Sequence, residues 1–311
     1  MRESAGPSVK GQRTVDPLGG GLVALASLQF GGVVVLGKIV TDGGLPVSSF
    51  LAVRFAAAAL LLAGALGAIR QPLAAAPGEG RRLALLGTAG YAVEAGLFFA
   101  ALQHGTAPAV TLLFFTYPVL VSLLSVAMGR GLPGRLVVVA LLSSVAGAVV
   151  VVVAGQGLEI QAAGVLFALG SAVTFSLYLL GADAVLKRTN SLAGSMWVSG
   201  SAAAALAVFA VATGTGQWPV GLRQWAPVLG SAAFTAGAFV CLFAGLRRLG
   251  AVRTSIVAAS EPLSATILAV IFLNEPLRAA TVFGGVLILA GAVTASLARR
   301  GEPSPAEPPV P

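Results

Sequence analysis

Apolar runs long enough to cross a bilayer, joined by short connections, recur along the whole chain and leave room for few other architectures. They fall at residues 18–40, 47–69, 83–103, 107–128, 135–154, 160–181, 192–213, 225–246, 253–273 and 279–298. A helix needs about 20 apolar residues to cross about 30 Å of hydrocarbon. Only 10% of the residues are charged, whereas a soluble domain keeps about 25% to cover its surface. The expected fold is therefore an all-α integral membrane protein of ten transmembrane helices. Residues 1–17 are expected to form a loose tail and 299–311, rich in proline, a disordered one.

A net charge of +8 raises the question of nucleic acid, but the placement of the charges answers it. Basic residues crowd one set of loop ends, Arg70, Arg81, Arg82, Arg130, Arg247 and Arg248 among them, while the other set has only Arg223 and Arg278. Such a bias marks the cytoplasmic side. Both termini are expected to be cytoplasmic, in a cytoplasmic membrane, with the bilayer as the partner of the basic residues. No nucleic acid partner is expected.

Sliding the chain by 144 residues superposes it on itself. Leu22 falls on Leu166, Ser27 on Ser171, Gly37 on Gly181, Leu102 on Leu246 and Gly147 on Gly291. Tyr117-Pro118 falls on Glu261-Pro262, each in the middle of an apolar run. The duplication divides the chain into repeats at 18–154 and 160–298. Five spans each is an odd number, so the second repeat enters the membrane from the opposite side. Inverted repeats of this kind place a binding site near the midplane between the halves.

Four ionisable residues lie within the spans: Lys38, Arg54, Glu94 and Glu261. Each charge near the bilayer centre costs roughly 2.5–3.5 kcal/mol, so all four must be paired, neutralised or facing water. At about 1.5 Å per residue, Arg54 and Glu94 lie at similar depth, about 10 and 14 Å below the outer face. That makes an Arg54–Glu94 ion pair the simplest structural reading. The alternative makes Glu94 a site for a substrate amine or a proton. Lys38 is near enough to its helix end to snorkel, with binding of a substrate carboxylate as the other option.

The prolines sharpen the pattern. Pro118 and Pro262 lack the N–H that would bond the carbonyls of Phe114 and Ala258, and in a membrane such freed groups are tolerated where neighbours or cavity water satisfy them. Either helix break could be a packing feature. The matched pair, one bearing Glu261, points instead to a cavity lining, with the Tyr117 hydroxyl meeting either ligand or a carbonyl. Phe98, Phe99, Phe114 and Phe115 are candidate walls. His104 and Cys241 are single, so they build neither a metal site nor a disulfide framework. No phosphate loop or HExxH pair appears, and no cofactor is expected.

The stretch FAGLRRLGAVRTSIVAASEPLSATILAVIFLNEPL, residues 243–277, resembles the EamA-like branch of the drug/metabolite transporter superfamily. Its repeats carry Glu-Pro in the fourth helix and a turn of the type Asn274-Glu275 after it. Residues 100–124 and 37–55 extend the resemblance into the first half, where Lys38 and Arg54 match basic residues of the first two helices. The first-half turn departs from the pattern, reading Gly129-Arg130-Gly131, and Tyr-Pro replaces Glu-Pro. The resemblance covers roughly 20–298 and implies ten helices and movement of small metabolites, often outward. The expected function is secondary transport, as an exporter, of a small polar metabolite such as an amino acid. A proton is the expected coupling ion, carried by Glu94 or Glu261, and the expected assembly is a monomer or homodimer. A non-transporting sensor or partner protein is the alternative, and an intramembrane enzyme a more distant one.

Overall fold

The computed structural model describes residues 16–105, 107–155, 160–273 and 279–297. The described residues are helical throughout, apart from short connections and one isolated bridge between Gly105 and Ile160. In the first half run α1 (Pro17–Asp42), α2 (Val47–Ala68), α3 (Gly80–Leu102), α4 (Ala107–Phe114), α5 (Tyr117–Ala127) and α6 (Arg135–Gly155). The second half has α7 (Ala162–Val185), α8 (Ser191–Ala212), α9 (Gly221–Leu249), α10 (Ala251–Ala258), α11 (Glu261–Leu273) and α12 (Ala279–Leu297). Eight helices or end-to-end helix pairs are long and apolar enough to cross a membrane, while α6 and α12 contribute the shorter apolar stretches Arg135–Val150 and Val282–Ala295. The Asn274-Glu275 turn and almost all of both expected tails lie outside the described residues.

Local chemistry starts and stops these helices. Asp16 caps α1 by accepting from Gly19 N at 2.8 Å, with Pro17 at the first helical position. Asn190 does the same for α8 through Ala193 N at 2.7 Å. Gly129 and Gly131, with φ of 74° and 79°, supply the left-handed backbone of the turn after α5, where a side chain would be strained. Within α3, Leu86–Ala92 is wound as a π-helix; the matching stretch of α9, residues 230–236, is ordinary α-helix.

Packing obeys the 144-residue repeat. Helix α1 lies along α9 and α3 along α7, two contacts that exchange when the halves are exchanged; α2 packs on α8 and α6 on α12, which map onto themselves. The register is visible atom by atom where α6 crosses α12. Ser143 Oγ donates to Leu287 O at 2.8 Å, and Leu287 is the repeat partner of Ser143. A Cβ on Gly147 would meet Gly284 O and Ile288 N, while one on Gly291 would meet Ala140 O and Ser144 N, the same contacts seen from the other half. Small residues allow this approach, and in lipid the dispersion gained by close backbones holds helices together.

The two ends of the bundle are joined differently. At the end bearing the basic loops, Arg130 pairs with Asp183 at 2.6 Å, Arg248 with Asp16 at 3.3 Å and Arg188 with Glu79 at 3.7 Å. Glu79 also accepts from Arg188 N and from both the amide and hydroxyl of Thr189. Each pair joins one half to the other. At the opposite end neutral links join the halves: Ser48 with Thr215, Ser49 Oγ to Thr215 O and Gln224 to Gly43 O, at 2.8, 2.8 and 2.9 Å.

Candidate functional site

Both proline-bearing helices are interrupted, and at the same place. Between α4 and α5 the break falls at Phe115 and Thr116; between α10 and α11 it falls at Ala259 and Ser260, 144 residues on. Tyr117 and Glu261 therefore open the second half-helices, with Pro118 and Pro262 immediately behind them. An acidic side chain in a first helical turn complements the helix dipole. The carbonyl of Ala258, freed by Pro262, accepts from Ser27 Oγ at 3.4 Å. The repeat partner of Ser27 serves a carboxyl instead, since Ser171 Oγ donates to Glu94 Oε1 at 3.1 Å and to Glu94 O at 3.2 Å.

That bond changes the expected pairing of Arg54. Both Arg54 and Glu94 are buried, each 7% exposed, but no carboxylate oxygen lies within 4.0 Å of the guanidinium among the described residues. The cause is packing: α3 lies against α7, which offers Ser171 to Glu94, whereas the Arg54 guanidinium covers the rings of Phe55 and Phe50, 4.4 and 5.3 Å from their centroids. A guanidinium over an aromatic face is favourable where water is excluded. Arg54 Nε has no hydrogen-bond partner among the described residues. Arg54, Glu94 and half-buried Glu261 remain close enough to act on one another electrostatically, so three of the four intramembrane charges converge on one region. Lys38 is exposed near the end of α1.

Two residues of this region escaped sequence reasoning. The Tyr91 ring packs on Phe55, Tyr178 and Phe239, with centroids 5.3, 5.4 and 4.9 Å away, and it lies within electrostatic reach of Arg54 and Glu94. Tyr178 is fully buried, and its hydroxyl has no partner among the described residues. Tyr117 completes the set, its ring 4.8 Å from Phe175, which stacks on Tyr178. The chain has three tyrosines, and all three belong to this one network. One clue was available: Tyr91 precedes Glu94 by three residues, which puts both on one helix face.

Tyr117 and the rings of Phe98, Phe114 and Phe115 lie together beside the first break. Tyr117 OH reaches a carbonyl, Ser255 O, at 3.4 Å, and Ser176 Oγ on α7 donates to Tyr117 O at 3.3 Å. Phe114 and Phe115 pack on the Tyr117 ring, with Phe98 against Phe114. His104 lies outside this region, its Nδ1 3.3 Å from Gln161 Oε1. Among the described residues no three His, Cys, Asp or Glu side chains group as a metal site would need. The centre thus offers guanidinium and hydroxyl donors, two carboxylates and a wall of rings.

Comparison with known proteins agrees with the doubled architecture. The EamA-like transporter family matches residues 17–153 and again 162–297. A solved structure titled "Crystal structure of protein" is similar in fold, with a TM-score of 0.77 at 21% identity, over 89% of this chain and 96% of that one. No curated protein matches the chain.

Proposed function

Because the chain belongs to the EamA-like transporter family, we propose that it is a secondary exporter of small polar metabolites, amino acids among them, across the cytoplasmic membrane. Ten spans in two inverted five-helix repeats would alternate access by rocking one half against the other. The observation that carries this reading is the convergence of Arg54, Glu94 and Glu261 beside two helix breaks related by the repeat. Buried charges are costly and mark substrate or ion pathways. Arg54 and Glu94 come from one half and Glu261 from the other, so movement of the halves changes the distance of Glu261 from the other two.

In this reading Arg54 takes a substrate carboxylate and Glu94 a substrate amine, while Glu261 carries the coupling proton. On the same reading the basic end is cytoplasmic, with ion pairs joining the halves there and neutral hydrogen bonds joining them at the opposite end. No enzymatic step is assigned to the chain. The test is flux from proteoliposomes loaded with a mixed pool of amino acids and related metabolites, read by mass spectrometry. Selective loss of one class, relative to empty liposomes, supports transport and names the substrate. Uniform retention by folded protein across that pool counts against it.

A further inference from the structure

The seam between α3 and α7 contains a groove of about 320 Å³. One wall is Leu85, Leu86, Ala89 and Gly90, the other Leu177, Tyr178 and Val185, with Arg82 at the mouth. Leu85 and Leu177 are exposed on the outer surface, so the groove faces lipid. In the matching seam, between α9 and α1, Phe234, the repeat partner of Gly90, lies on Gly32, whereas Gly90 faces the Tyr178 ring, which a Cβ on the glycine would meet at 3.1 Å. Leu86, Ala89 and Gly90 lie in the stretch of α3 that is wound as a π-helix; such turns recur at functional sites.

We infer that this groove is a binding site for one anionic phospholipid, wedged between the two repeats with its phosphate on Arg82 and an acyl chain along Leu85, Ala89 and Leu177. Three observations select this occupant. The walls are apolar and open to the bilayer, which suits a hydrocarbon chain. The mouth lies at the basic end of the bundle, where Arg81 and Arg82 are both exposed, and a cytoplasmic leaflet presents anionic headgroups to such residues. The distance from Arg82 to Gly90 along the helix is about 12 Å at 1.5 Å per residue, deep enough for part of one chain below a headgroup. The choice of leaflet rests on the orientation proposed above, whereas the binding itself does not depend on transport. Since α3 belongs to one repeat and α7 to the other, a lipid seated here bears on the surface along which the halves move.

The test is native mass spectrometry of the detergent-purified full chain, equilibrated with equal amounts of phosphatidylglycerol and phosphatidylcholine of the same acyl chains. One phosphatidylglycerol is expected to stay bound, enriched roughly fivefold, the worth of one basic side chain at an anionic surface. Arg82→Gln, at an exposed position, is expected to bring the ratio of the two lipids near one. Ala89→Phe, which puts a ring into the groove, is expected to lose the bound lipid, while Leu123→Phe on another exposed face keeps it. Equal retention of both lipids by the unaltered protein, or full retention of phosphatidylglycerol by Arg82→Gln, would overturn the assignment. Flux plays no part in the readout, so failure of the lipid site and failure of the transport reading are separate results.

Discussion

Substituting Gly291 by alanine probes the α6–α12 crossing that ties the two repeats together. The added Cβ would lie 2.3 Å from Ser144 Oγ, 2.6 Å from Ala140 O and 2.8 Å from Ser144 N. Ser144 Oγ can turn away, but the other two atoms are helix backbone. Against the 3.5–4.0 Å optimum for heavy-atom contacts, the shortfall is about 1 Å, and α6 must move. Overpacking of this kind costs about 1–3 kcal/mol, offset by up to about 1 kcal/mol from replacing a helical glycine. A net loss of roughly 1–2 kcal/mol corresponds to a melting point lower by roughly 2–8 °C for a chain of this size. Gly147→Ala meets Gly284 O and Ile288 N at 2.5 and 2.7 Å and is expected to cost the same, because the contact is its repeat image. The double variant is expected to lose less than the sum, since the first substitution already separates the helices. Gly64→Ala and Gly67→Ala, with nothing within 4 Å, are the controls and are expected to melt at or slightly above the unaltered protein. Thermal denaturation in detergent, read by the folded peak on size exclusion, measures all five. Gly291→Ala melting with the controls would refute the reasoning.

Three further outcomes follow from individual bonds. Asp16→Ala removes the α1 cap and the Arg248 partner, and is expected to cost about 1 kcal/mol in the same melting assay. Ser27→Ala leaves the Ala258 carbonyl without its hydroxyl donor and is expected to cost about 0.6 kcal/mol, a usual value for a hydrogen bond inside a membrane. For Glu79, burial raises the carboxyl pKa, but the hydroxyl and amide of Thr189, the amide of Arg188 and the Arg188 charge outweigh it and hold it below the usual range. A depressed folded-state pKa contributes stability above the unfolded value of about 4.3, and that stability is lost as pH falls through the folded one. Melting scans from pH 7 to pH 3 should show a fall at the acid end that Glu79→Gln reduces; an equal fall in both would remove Glu79 as its source.

The parts of the fold that follow from backbone chemistry could be read from the chain. Pro118 and Pro262 cannot donate, and helix breaks fall beside both at the 144-residue offset, although Pro227 sits within the unbroken α9. Gly147 and Gly291 were visible as matched small residues, although only the structure shows that their contacts across the α6–α12 crossing are repeat images of one another. Side-chain partners were less legible because they depend on which helices are neighbours. Similar depth suggested Arg54–Glu94, but depth fixes one coordinate only; α7 brings Ser171 to Glu94 and leaves Arg54 over Phe50 and Phe55. Tyr91 and Tyr178 went unread because an aromatic residue in an apolar run looks like lipid-facing bulk until the helices are assembled. The groove between α3 and α7 depends on which residues of the two helices meet in space.

In the proposed function Arg54, Glu94 and Glu261 form the path of a proton-coupled transporter. Its most direct test is pH-driven flux, alongside substrate exchange, in proteoliposomes of the unaltered protein and of Glu261→Gln. The account predicts that the variant loses pH-driven flux while exchange at zero gradient persists. Flux driven by pH at the unaltered rate in Glu261→Gln would contradict it.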